Sequence, residues 1–165
     1  MNVEEFNDLD VAAAAVTLRP ALDVPRWGEE IIAARPFTDR EALLEASRTA
    51  ADPFTDEEID QALSHHPRIG ERAEGGSVEA GLSRAEQEAI DPQDAQLQQA
   101  LRAGNLAYEE RFGRVFLIRA AGRSPAQILE ALEARLENDP VHERRVVAEQ
   151  LREIAVLRLE GLVTA

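Results

Sequence analysis

Apolar residues recur along this chain at the three- and four-residue intervals of helices that bury one stripe, and they do so behind recognisable start signals. Leu43-Leu44, Ile59-Leu63, Ala89-Ile90 and Ile128-Leu132 follow Thr38-x-x-Glu41, Thr55-x-x-Glu58, Ser83-x-x-Glu86 and Ser124-x-x-Gln127. In such a capping box the hydroxyl accepts from an orphan backbone N–H while the acid or amide reaches back to the cap. Proline in Val24-Pro25, Ser124-Pro125 and Asp139-Pro140 fits the first helical position, where its missing N–H costs nothing. The pattern predicts helices near 9–18, 25–35, 39–50, 56–65, 83–89, 93–111, 125–136 and 140–161. Only Val115 to Ile118 reads as extended, and one short apolar segment cannot make a sheet alone. The expected fold is all-α, a single-domain bundle of about eight helices over residues 1–165. Gly70 to Gly81, which contains Gly75-Gly76, is the one loop long and glycine-rich enough to suggest function or mobility.

Composition narrows the chemistry. Eighteen Lys+Arg against thirty-two Asp+Glu leave a net charge of -14, a field that repels phosphate backbones and anionic lipid, so neither nucleic acid nor a membrane is an expected partner. All eighteen basic residues are arginine, and cysteine is absent as well. That excludes a Schiff-base lysine, a lysine-anchored pyridoxal cofactor, a Gly-Lys phosphate loop, thiol catalysis, thiolate metal sites and disulfides. The acidic start Met1-Asn2-Val3-Glu4-Glu5 is unlike a secretory signal, and no apolar run approaches the roughly 20 residues that span a bilayer, so a cytoplasmic protein is expected.

Histidine is the natural general acid or base near neutral pH, and the candidates are His65, His66 and His142. His142 lies in the charged first turn of the last helix, beside Glu143 and Arg144, and reads as a solvated surface group. His66 precedes Pro67, whose ring pushes the preceding residue out of the α region and ends the helix there. A ring held by that stiff backbone suits catalysis, and it equally suits a polar helix end stabilised by the dipole. Adjacent histidines point to different sides of a helix and no His-x-x-x-His pattern exists, so no metal is expected. Ser83-Arg84-Ala85-Glu86-Gln87 reads as a capping box, or as a helix N-terminus able to hold a small anion. Arg158 falls on the apolar stripe of Val147, Leu151 and Ile154. A guanidinium there either snorkels outward or meets a carboxylate in a pocket.

Taken together, His66-Pro67-Arg68-Ile69-Gly70-Glu71, Ser83-x-x-Glu86-Gln87, Asn105-x-x-Tyr108-x-x-x-Phe112-Gly113-x-x-Phe116, Arg35-Pro36-Phe37 and Ile154-x-x-x-Arg158-Leu159 resemble the 2-oxo-4-hydroxy-4-carboxy-5-ureidoimidazoline (OHCU) decarboxylases over nearly the whole chain. The resemblance implies an all-helical homodimer, free of metal and organic cofactor, that performs the third step from urate to (S)-allantoin on a small ureidoimidazoline carboxylate. By position it implies His66 as catalytic histidine and Glu86 as its acidic partner. Pro67, Ser83, Arg84, Ala85 and Gln87 would line the substrate pocket, the backbone of Phe116, Leu117, Ile118, Arg119 and Ala120 would contact the ring and ureido group, and Arg158 would hold the substrate. Where many members have an aromatic and a proline after Phe-Gly, this chain has Arg114-Val115. The competing reading from the residues alone is a small helical interaction module without catalysis, which would present a broad apolar groove.

Overall fold

The computed structural model describes residues 1–66, 69 and 95–165; among them are eight helices and no strand. In chain order these are α1 (Val3–Asp8), α2 (Val11–Leu18), α3 (Pro25–Ala33), α4 (Arg40–Thr49), α5 (Asp56–Leu63), α6 (Ala95–Phe112), α7 (Pro125–Leu136) and α8 (Pro140–Leu162). The all-α expectation holds, whereas the helix expected over 83–89 lies outside the described residues. Pro25 and Pro125 take the first helical turn, and the Ser124/Gln127 box closes as the spacing predicts. Thr55 and Glu58 likewise exchange their two bonds, at 3.1 and 2.8 Å. The box expected at Thr38 does not form. Asp39 caps α4 instead, accepting from Ala42 N–H at 2.8 Å, because a carboxylate one residue later complements the helix dipole better than a hydroxyl. α1 was not expected from the pattern. Asn2 and Glu5 build a capping box for it, and Phe6 buries its ring completely.

Contacts divide the chain into two compact units, Met1–Ala62 with Leu151–Ala165, and Leu63–Gln150. The first is built on Phe6, Leu18, Trp27, Ile31, Leu43, Leu44, Phe54 and Ile59, all at 2% exposure or less. Its loops are held by arginines. Arg35 donates to the carbonyls of Phe6, Asn7 and Leu9 at the end of α1, and Asn7 pairs with both backbone groups of Phe37 at 2.9 Å. Arg40 reaches the Glu160 and Val163 carbonyls at the end of α8. The turn 50–53 is gripped from two helices: Arg26 donates to Ala51 and Pro53 carbonyls, and Arg152 donates to those of Arg48, Ala50 and Ala51 while its guanidinium lies 4.1 Å over the Phe54 ring. A guanidinium has five donors in a rigid fork, so one side chain can satisfy several carbonyls that a helix end leaves orphaned.

The second unit packs α6 against α7. A Cβ on Gly104 would collide with the Leu132 side chain, so glycine permits that close approach. Leu101, Tyr108, Phe116, Ile118, Ile128 and Leu132 form its core, to which Ile69 is joined.

Candidate functional site

α5 ends at Leu63, and the chain turns so that the His66 N–H donates to the Leu63 carbonyl at 3.0 Å. His66 is therefore outside the helix, as its proline neighbour requires, and its side chain is half-buried while His65 is exposed. Three residues on, buried Ile69 gives its carbonyl to Asn105 Nδ2 of α6 at 3.0 Å. Asn105 is 2% exposed, and its Oδ1 has no partner among the described residues. Pro67, Ser83, Arg84, Ala85, Glu86 and Gln87 lie outside the described residues.

Phe116 to Ala120 runs between α6 and α7 without strand partners. Phe116, Leu117, Ile118 and Ala120 are buried and Arg119 is half-buried. Side chains hold this backbone in place of a ladder. Arg135 donates to the Leu117 carbonyl at 2.6 Å, Gln150 accepts from the Arg119 N–H at 2.8 Å, and Arg123 donates to the Arg119 carbonyl at 2.9 Å.

Arg135 belongs to a buried polar cluster that sequence reasoning missed. Its Nε and Nη2 both reach Glu143 Oε1, at 2.8 and 2.5 Å; the Tyr108 hydroxyl donates to the same oxygen at 2.5 Å, and Asn138 donates to Oε2 at 3.0 Å. The guanidinium also lies 4.6 Å from the Phe116 centroid and 5.7 Å from that of Tyr108. Glu143, in the charged first turn of the last helix, is only 2% exposed, whereas its neighbour His142 is exposed as expected. Burial, followed by the hydrogen bond to Glu143, pushes the Tyr108 hydroxyl well above its ordinary range, so it stays a proton donor. The same cluster backs a cleft of about 510 Å³ lined by Tyr108, Phe112, Arg114, Arg144 and Val147, which places the unusual Arg114 on its wall.

In the first unit, Arg158 is 3% exposed and its Nη1 lies 3.5 Å from the Pro20 carbonyl. Of the two alternatives for this residue, snorkelling is excluded. Pro20 belongs to the turn after α2, whose residues Arg19, Leu22, Asp23 and Val24 line a pocket of about 420 Å³ together with Gly28 and Gln61. Asp23 there is paired with Arg19 at 3.3 Å and accepts from Gln61 at 3.2 Å.

The helical scaffold carrying these residues is that of a decarboxylase: the chain aligns with a crystal structure of OHCU decarboxylase in the presence of (S)-allantoin at a TM-score of 0.69 and 27% identity, over 86% of this chain and 93% of that one. Its sequence is also similar to the 2-oxo-4-hydroxy-4-carboxy-5-ureidoimidazoline decarboxylase of Haloferax volcanii, 28% identical over 161 residues that cover 96% of this chain and 94% of the relative. The uric acid degradation bifunctional protein TTL of Arabidopsis thaliana is 30% identical over 82% of this chain, which spans 43% of that longer protein. The OHCU decarboxylase family profile matches residues 7–160, and the chain belongs to that family.

Proposed function

We propose that this protein decarboxylates 2-oxo-4-hydroxy-4-carboxy-5-ureidoimidazoline to (S)-allantoin in urate degradation, without a cofactor. The observation that carries the reading is the family match over residues 7–160, which runs through His66, the 116–120 segment and Arg158 alike and supports treating the chain as one family domain. The interaction-module alternative accounts for none of these residues.

The substrate contains its own electron sink. When the bond from C4 to the carboxylate breaks, the electron pair moves toward the adjacent C5=N bond, and CO2 departs. That pair forms a C4=C5 bond while the C=N pair passes to the nitrogen, which takes a proton; a second proton delivered to one face of C5, with loss of the hydroxyl proton at C4, then gives the product carbonyl and its single configuration. The protein's part is to hold the carboxylate perpendicular to the ring, to move protons, and to exclude water. In this reading Arg158 clamps the carboxylate, since a guanidinium matches it bidentately. His66 and Glu86 move protons, a contribution of about 10²- to 10⁴-fold. Pro67 and the Ser83 to Gln87 segment complete the pocket, and the 116–120 backbone faces the ring. Positioning and desolvation supply the remainder of the rate.

The working form is a cytoplasmic homodimer, as the family resemblance implies. No helix among the described residues is long and apolar enough to cross a membrane. The direct test generates the unstable substrate in the cuvette from urate with the two preceding enzymes and follows circular dichroism of the product. Rapid appearance of (S)-allantoin is expected; slow racemic decay at the rate of the enzyme-free control refutes the function.

A further inference from the structure

We propose that Arg135 is a positioning residue that fixes the substrate-facing backbone of Phe116 to Ala120, acting through the Leu117 carbonyl and held in turn by Glu143, Tyr108 and Asn138. The proposal rests on the function just described, in which that backbone contacts the substrate.

The segment lies in neither a helix nor a strand, and the backbone hydrogen bond at its end is that of a turn, from the Arg123 N–H to the Ala120 carbonyl at 3.1 Å. Core burial of Phe116, Ile118 and Ala120 anchors its side chains, and the backbone between them is gripped by other side chains. Gln150 and Arg123 take the two backbone groups of Arg119, and Arg135 takes the Leu117 carbonyl with its Nη1 at 2.6 Å. Arg135 differs from the other two in having every other face of its guanidinium immobilised. Nε and Nη2 are on Glu143, the Phe116 ring covers one face at 4.6 Å, and Glu143 is itself fixed by the Tyr108 hydroxyl and by Asn138. A group with no rotational freedom transmits its position to whatever it holds.

Stability alone is a poor reason for this cluster. Buried ion pairs replaced as a pair by apolar residues of similar volume commonly leave proteins equally stable or more so. What an apolar pair cannot do is aim a donor at the Leu117 carbonyl. Lysine cannot do it either while also serving Glu143, because an ammonium is a point charge without the fork. The arrangement also locates what specifies the wall: α6 supplies Tyr108, α7 supplies Arg135 and the start of α8 supplies Glu143, so three helices converge on the one guanidinium that holds the Leu117 carbonyl.

Two variants test this. The double change Arg135→Met with Glu143→Leu removes both charges together and leaves no orphaned ion, and Arg135→Lys keeps the charge but not the fork. Thermal melts, amide hydrogen exchange and steady-state turnover of the substrate made in situ are measured for each. Expected for the double variant are a melting temperature within a few degrees of wild type, at least tenfold faster exchange at the Arg119 amide with Leu101 and Leu132 unchanged, and a KM raised at least tenfold with kcat changed less than threefold. A folded double variant with wild-type exchange in the segment, or with wild-type KM, overturns the proposal. Should the double variant not fold, Arg135→Lys decides on the same two readouts. A wild-type protein that does not turn the substrate over refutes the function instead, and takes the KM consequence with it, while the exchange result still decides whether Arg135 fixes the backbone.

Discussion

Arg158 offers the sharpest discrimination between a packed residue and a substrate clamp. The residue is 3% exposed, and one of its contacts runs from Nη1 to the Pro20 carbonyl at 3.5 Å. Methionine keeps the length and apolar stem of the side chain while deleting the charge. A pair between this desolvated cation and a ligand carboxylate contributes about 2 to 5 kcal/mol. At about 1.4 kcal/mol per decade, Arg158→Met should weaken a carboxylate-bearing substrate analogue by roughly 30- to 4,000-fold. Allantoin, which lacks the carboxylate, should weaken by less than about threefold. Calorimetric titration of both ligands into wild type and variant measures the two ratios, and a thermal melt verifies that the variant is folded. Arg158→Lys should recover only part of the loss, because an ammonium makes one directed contact where the fork makes two. Equal weakening of both ligands refutes the clamp and assigns Arg158 to packing.

Three further outcomes follow from the geometry. His66→Ala should lower kcat by about 10²- to 10⁴-fold with helicity unchanged, since the half-buried ring lies outside the helix and outside the core, whereas exposed His65→Ala should leave turnover near wild type; circular dichroism and product chirality read both. Glu86→Ala should lose far more activity than Gln127→Ala, which removes the reciprocal partner of a capping box formed at Ser124; equal small losses would reduce Glu86 to a cap. Hydrogen bonds from Arg26 hold the Glu58 carboxyl below its ordinary range. The stabilisation is therefore present above the unfolded carboxylate pKa and is lost as pH falls through the lower folded value, so Glu58→Gln should flatten the acid limb of a stability profile below about pH 4.3.

Local chemistry made much of the fold readable. Proline at the first helical position and the boxes at Thr55 and Ser124 depend on neighbours within four residues, and each formed where the spacing placed it. Thr38 failed for an equally local reason, since Asp39 beside it is the better cap. Asn2-x-x-Glu5 carries the same logic as the hydroxyl boxes with an amide in place of the hydroxyl, and it marks the start of α1 just as locally. The site divides along the same line. His66 was placed by its own proline, and Arg158 by its register on a stripe whose other members are all buried. Arg135 and Glu143 offered no such signal: each is a charged residue in a helical turn, and their burial follows only once Tyr108 and Phe116, from elsewhere in the chain, close around them. A charge hidden by tertiary partners looks in sequence like one facing water. Asn105 stood in a recognised motif, yet its role as the tether of Ile69 depends on a contact across 36 residues.

The arginine grips on backbone carbonyls bear on how this protein should behave in alkali and in brine. Arg26, Arg35, Arg40, Arg135 and Arg152 all donate to carbonyls that carry no proton to lose, and a guanidinium as a class holds its proton to higher pH than an ammonium, although burial draws Arg152 down from its ordinary value. A lysine in the same place would begin to release its carbonyl near pH 10. One partner in each grip is neutral, so mobile ions, which weaken attraction between separated charges, have little there to screen. Raising the salt should therefore quiet the repulsion expected of a chain with a net charge of -14 while leaving the fastenings of its turns intact.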